Sequence, residues 1–165
     1  MDKLQLLILK NQYEILSHLQ PQRHDHKIAL EAIDRGYEYE IENLIDRAVT
    51  EPVSMQICEE VRAILGMYRE LQNSLAKAGA SEELKREALF PGFDGNEESA
   101  HYSYATFILD EKGEFQGIAS WEQNTWNSHM PMLRRYRAML GAFHTKKAYP
   151  HSVEFIEKVL QAGDD

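Results

Sequence analysis

The stretch SMQICEEVRAILGMYRELQNSLAKAG, Ser54 to Gly79, decides the reading of the fold. Ile57, Val61, Ile64, Tyr68, Leu71 and Leu75 recur at alternating spacings of four and three, so at 3.6 residues per turn they share one side of a helix. The segment begins after Pro52 and stops at Gly79, with no proline between. A helix over 54–78 with its seam in a helical core is predicted, and a seam shared with a second copy is the alternative.

Working outward, Asp2 can cap a helix running to Leu19 before Pro21, and Gly36 can end another over Asp25 to Arg35. A short segment covers Glu42 to Ala48. Downstream, Asp94 and Glu97 have capping-box spacing ahead of a helix over Gly95 to Asp110. The run FILDEKGEFQGI could instead form one short hairpin within residues 105–119. Residues 115–128 show no clean period and carry Trp121 and Trp126. Pro131 opens a helix to His144, and Ser152 can cap a last one to Ala162. The expectation is an all-α, predominantly helical chain of about six helices, forming a single compact domain over residues 1–165.

With 27 acids against 18 bases and a net charge of -9, the chain is unsuited to sequence-independent nucleic-acid binding, which needs basic residues to neutralise phosphates. The apolar run near the N-terminus is broken by Lys10 and is far below the ~20 residues that span a bilayer. One cysteine, Cys58, cannot form an intramolecular disulfide, and a cytoplasmic location is expected. Charge is uneven: residues 25–51 hold eight acids and three bases, whereas 131–147 hold five bases and no acid. The two stretches could complement one another within the chain or across subunits, or the basic one could bind an anion.

Candidate site residues come from the helical stripes. Leu4, Ile8, Asn11 and Ile15 share a stripe in the first helix, with Gln12 at its edge, which aims a carboxamide at the core. Asn11 and Gln12 could orient a ligand or bind a neighbouring loop. Glu97 and His101 lie one turn apart and could act as acid and base in a hydrolase-like enzyme, although the capping role competes for Glu97. His24 and His26 are expected in a solvated loop, because no further ligand lies at zinc-site spacing. Cys58 lacks a local base to activate it. No metal and no cofactor are called for by any pattern. The helix from Pro131 sets Met132, Leu133, Tyr136, Met139, Leu140 and Phe143 opposite Arg134, Arg137, Ala138 and Gly141, which makes Arg134 the best anion-binding candidate.

Several blocks resemble the YfbU family of bacterial and archaeal proteins: LILKNQY from Leu7, RGY from Arg35, ILGMYREL from Ile64, FPGFDGNEE from Phe90, HYSYATF from His101, and NSHMPMLRRYRAML from Asn127. They are spread along nearly the whole chain. The resemblance implies a domain of about this length, which in other members is occasionally joined to a helix-turn-helix domain, and on that ground a ligand-binding role. It supplies no catalytic residues. The blocks contain Asn11, Asp94, Glu97, His101, His129 and Arg134, already selected from the residues.

These readings favour a non-catalytic regulatory module that binds a small ligand or a protein partner. A structural homo-oligomer or adaptor, such as a dimer through the Ile57 to Leu75 seam, is the alternative. The expected ligand site joins the loop of Trp121, Trp126 and His129 to helices bearing Asn11, Gln12, Asp94, Glu97, His101 and Arg134, because tryptophans offer contact area and arginine a planar fork. A closed pocket lined by these residues would favour a ligand, and a flat apolar surface a protein.

Overall fold

A computed structural model describes residues 1–121, 125–145 and 148–164. In chain order the helices are α1 (Lys3–Leu19), α2 (His24–Arg35), α3 (Glu38–Ala48), α4 (Met55–Ala78), α5 (Glu82–Glu87), α6 (Ser99–Thr106), α7 (Leu133–Phe143) and α8 (Val153–Gln161). A π-helical turn, Phe107–Glu111, prolongs α6. Among the described residues the fold is all-α, and FILDEKGEFQGI opens as that turn, so the alternative hairpin is not formed. No described helix is long and apolar enough to cross a membrane. The chain divides into two compact units, Met1–Pro52 and Val53–Asp165.

In the second unit α4 contacts each of α5, α6, α7 and α8. Ser54 starts α4 by accepting the amide of Ile57 at 3.3 Å, and Gly79 ends it at a φ of 61°. Val61, Ile64, Tyr68, Leu71 and Leu75 are buried and Ile57 packs against them, so the predicted seam is this unit's own core. Each large apolar side chain so placed contributes about 1.5–3 kcal/mol relative to exposure. Four rings close over it: Tyr68 meets Phe90 at 5.1 Å and Tyr136 at 5.6 Å, and Phe93 meets Tyr136 at 5.4 Å. The seam is therefore spent inside the unit.

The connection after residue 115 has a pattern that side-chain periodicity does not show. Phe90 N–H donates to Ala119 at 2.9 Å, Phe93 N–H to Trp126 at 2.8 Å, and Ser128 N–H to Phe93 at 3.1 Å. These bonds form two isolated parallel bridges, Phe90 with Ser120 and Phe93 with Asn127. Gly92 lets the two backbones approach: its φ is +96°, and a β-carbon there would lie 2.1 Å from the Trp126 carbonyl oxygen.

In the first unit α1 packs on α2 and α2 on α3. Asp2 and Gln5 form the capping box that starts α1, with bonds of 2.8 and 2.9 Å. Gly36 ends α2 at a φ of 67°, as predicted. The histidine pair corrects the expectation of a solvated loop. His24 begins α2, and His26 is buried with Nε2 3.0 Å from Gln20 Oε1.

The orientation of α1 reverses the sequence expectation. Leu6, Leu9, Lys10, Tyr13, Leu16, Ser17 and Gln20 are partly buried, whereas Leu4, Ile8, Asn11, Gln12, Ile15 and Leu19 are exposed. The inward side carries Leu6, Leu9, Tyr13 and Leu16, with polar contacts beside them. Lys10 pairs with Asp34 of α2 at 2.6 Å, and the Tyr13 ring lies 6.0 Å from that of His26. Asn11 and Gln12 are thus not buried amides.

Candidate functional site

One group of polar side chains in the second unit lies where α4, α6 and α7 meet. Glu60 of α4 is the hub. His101 Nε2 donates to Glu60 Oε2 at 2.9 Å, and Arg137 grips both carboxylate oxygens, through Nε at 2.6 Å and Nη2 at 3.0 Å. The Arg137 guanidinium, followed by His101, holds the Glu60 carboxyl below the usual glutamate range, against an opposing effect of burial. His101 is only 8% exposed and its ring lies 5.6 Å from Phe93. The imidazole pairs with Glu60 and not with Glu97, whose side chain is exposed.

One turn away, Asp94 and Glu98 organise the start of α6. Asp94 Oδ1 accepts the amides of Asn96 and Glu97 at 2.7 and 2.8 Å in the turn ahead of α6; the helix expected from Gly95 starts only at Ser99, so Asp94 caps that turn and not the helix. The reciprocal carboxylate is Glu98, one residue later than expected: its Oε2 accepts the Asp94 amide at 3.0 Å. The other oxygen accepts the amides of Met132 and Leu133 at 2.6 and 2.7 Å. Glu98 therefore satisfies the first amides of α7, whose own cap position, Met132, supplies no side-chain bond.

The remaining candidates are placed around this framework. Trp126 is half-buried and its Nε1 donates to Asp110 at 2.9 Å. Trp121, His129 and Arg134 are exposed, and His129 adopts a φ of 55° with its amide bonded to Asn127 Oδ1 at 3.0 Å. The structure thus brings Asp94, His101 and Trp126 to the Phe93 segment, while Asn11 and Gln12 belong to the first unit. Two bases of the 131–147 stretch find partners outside residues 25–51, Arg135 with Asp164 and Arg137 with Glu60. Lys146 and Lys147 lie outside the described residues.

Among the described residues, none of the nine candidates lines the following three clefts. One of about 330 Å³ in the first unit is walled by Tyr13, Arg23, His26, Leu44 and Arg47, among others. Two in the second unit, of about 220 and 230 Å³, are lined chiefly by α4, α5 and α8 and by the Gly117 to Ala119 backbone. Sequence reasoning missed Glu60, Glu98 and Arg137 as partners. The usable signal was a charged residue flanking a buried stripe, as Glu60 flanks Val61.

This geometry sits within a chain whose similarity to known proteins is continuous from end to end. The YfbU domain matches residues 1–162. The chain belongs to the YfbU family. It is 28% identical to the UPF0304 protein MJECS11 of Methanocaldococcus jannaschii, over 98% of this chain and 99% of that protein. The YfbU domain therefore takes in both units, and the Glu60, His101 and Arg137 cluster as well as α1 lie inside the matched region.

Proposed function

We propose that this YfbU domain works by binding and not by catalysis, as a module that docks a protein partner on the outer face of α1. One observation carries the reading. Leu4, Ile8, Ile15 and Leu19 are 66%, 51%, 58% and 73% exposed on one side of a single helix. Scattered apolar residues on a surface are ordinary, but a stripe along a whole helix marks an interaction site. The groups best able to do acid–base chemistry are engaged with each other, His101 with Glu60 and Glu60 with Arg137, and this supports a structural role for them.

A second reading, a regulatory site for a small anion, draws on the Tyr13 to Arg47 cleft of about 330 Å³, which is within the range of small-molecule pockets. Two experiments separate the readings. A photo-reactive residue in place of Ile8, in cells that make the protein, is expected to give a discrete protein adduct absent when it replaces the exposed Glu97. Equal labelling at both positions would count against docking on α1. Native mass spectrometry showing a retained small molecule, lost in Arg47→Ala, would favour the cleft.

A further inference from the structure

We infer that the outer face of α1 pairs with the same face of a second copy of this chain, antiparallel, about a two-fold axis passing between Asn11 and Gln12. This rests on the protein-docking reading above and names the partner. The face reads alike in both directions. Leu4 with Leu19, Ile8 with Ile15, and Asn11 with Gln12 are pairs whose residue numbers each sum to 23. At 100° per residue the isoleucines fall within about 10° of a common midline, the leucines about 30° and the amides about 50° from it, with members of each pair on opposite sides.

A two-fold contact requires a surface that matches itself after rotation. Here the rotation sets leucine on leucine and isoleucine on isoleucine, and because it keeps each flank of the midline on its own side it brings the Asn11 amide beside the second copy's Asn11 on one flank and Gln12 beside Gln12 on the other. The six positions carry no charge, so the net charge of -9 is not concentrated in the contact. Carboxamides at the centre can exchange hydrogen bonds and fix the register, as single polar residues do in coiled coils. The antiparallel sense follows from the helix dipoles, which a parallel pair would align and the antiparallel pair opposes.

The size of the contact sets its strength. α1 has 17 residues and so is about 25 Å long, and pairing along that length buries ~1,000 Å², the low end for specific interfaces. A reversible dimer in the micromolar range is expected.

The test uses the full chain with Cys58→Ser as background. Light scattering should show a mass rising with concentration towards twice 19.1 kDa, and Ile15→Glu or Leu4→Glu should leave a monomer with unchanged circular dichroism, since both positions are exposed already. Mixed Ile8→Cys and Ile15→Cys proteins should form a disulfide heterodimer on mild oxidation, while Ile8→Cys alone should not cross-link. A dimer that cross-links through Ile8→Cys alone, or that survives both glutamate variants, overturns the antiparallel pairing and leaves docking on α1 or elsewhere to the photo-adduct result. A protein that stays monomeric overturns the second copy as partner. In that case an apolar dye bound by the native chain and lost in Ile15→Glu keeps the docking reading, and no dye binding removes it too.

Discussion

Glu98 accepts the backbone amide of Met132 at 2.6 Å, thirty-four positions along the chain. Through this bond and its neighbour to Leu133, a carboxylate at the start of one helix caps the start of another. The same side chain also takes the Asp94 amide, so three amides depend on one buried group. Each such amide left without a partner costs about 1–3 kcal/mol. Glu98→Ala is therefore expected to destabilise the second unit by about 3 kcal/mol or more, and Glu98→Gln by less because it keeps an acceptor. Urea denaturation followed by circular dichroism measures both, and equal losses would show that the carboxylate's charge and not the side chain's shape matters.

Gly92 sits where the Phe90 to Phe93 segment pairs with the Trp126 carbonyl. Alanine there would need a φ near +96° and would place its β-carbon 2.1 Å from that oxygen. The backbone strain alone is of order 1–3 kcal/mol, and the clash adds to it because the oxygen already accepts from Phe93. Gly92→Ala should lower the melting temperature markedly and shift Trp126 fluorescence. Gly36→Ala, strained at its φ of 67° but with no atom near the added carbon, should cost less.

What the sequence made legible follows from how local each signal is. The α4 seam was readable because its six apolar positions share one side and the other side is polar. Caps at Asp2 and Ser152, and the helix stops at Gly36 and Gly79, were readable for the same reason, since each involves neighbours only a few residues apart. The inward side of α1 was not. With Leu4, Leu6, Leu7, Ile8, Leu9, Ile15, Leu16 and Leu19 around it, the helix has two apolar sides, and which one packs on α2 is not written in the pattern of α1 itself. Of the candidate site, Asp94 was found as a capping side chain, but of the turn before α6 and not of the helix itself, and His101 was expected beside the wrong glutamate. Its true partner is 41 residues away, and Arg137 is 77 residues from that same Glu60. No periodicity within one helix reports a partner on another.

The Glu60 cluster predicts behaviour in acid. Arg137 and then His101 depress the Glu60 carboxyl below its ordinary value of 4.5. A carboxyl lowered on folding contributes stability that is fully present above the unfolded value and is lost as pH falls through the folded one. Unfolding free energy should accordingly decline below pH 4.5. Arg137→Ala should shrink this decline, because the main cause of the depression is gone and the folded value returns towards the unfolded one, and Glu60→Gln should remove the Glu60 share of it altogether. Urea midpoints measured from about pH 6 to about pH 3 test the order. An unchanged acid limb in both variants would detach the cluster from stability.

At the alkaline end the buried phenols set the limit. Burial pushes the hydroxyls of Tyr68 and Tyr136 above the usual tyrosine value of 10.0. Raised values on folding mean that the stability concerned is present below the unfolded value and is lost as pH rises through the folded one. Phenolate absorbance from these two residues should therefore appear together with loss of helical circular dichroism, since each ionises readily only once the core opens. Tyr136 donates its hydroxyl to the Gly92 carbonyl at 2.5 Å. Tyr136→Phe removes that bond and should cost about 1 kcal/mol near neutral pH. It also removes one ionisable group from the core, so the loss relative to the native chain should shrink as pH climbs past 10.0. A deficit that stays constant into the alkaline range would mean that Tyr136 is not a group whose ionisation opens the fold.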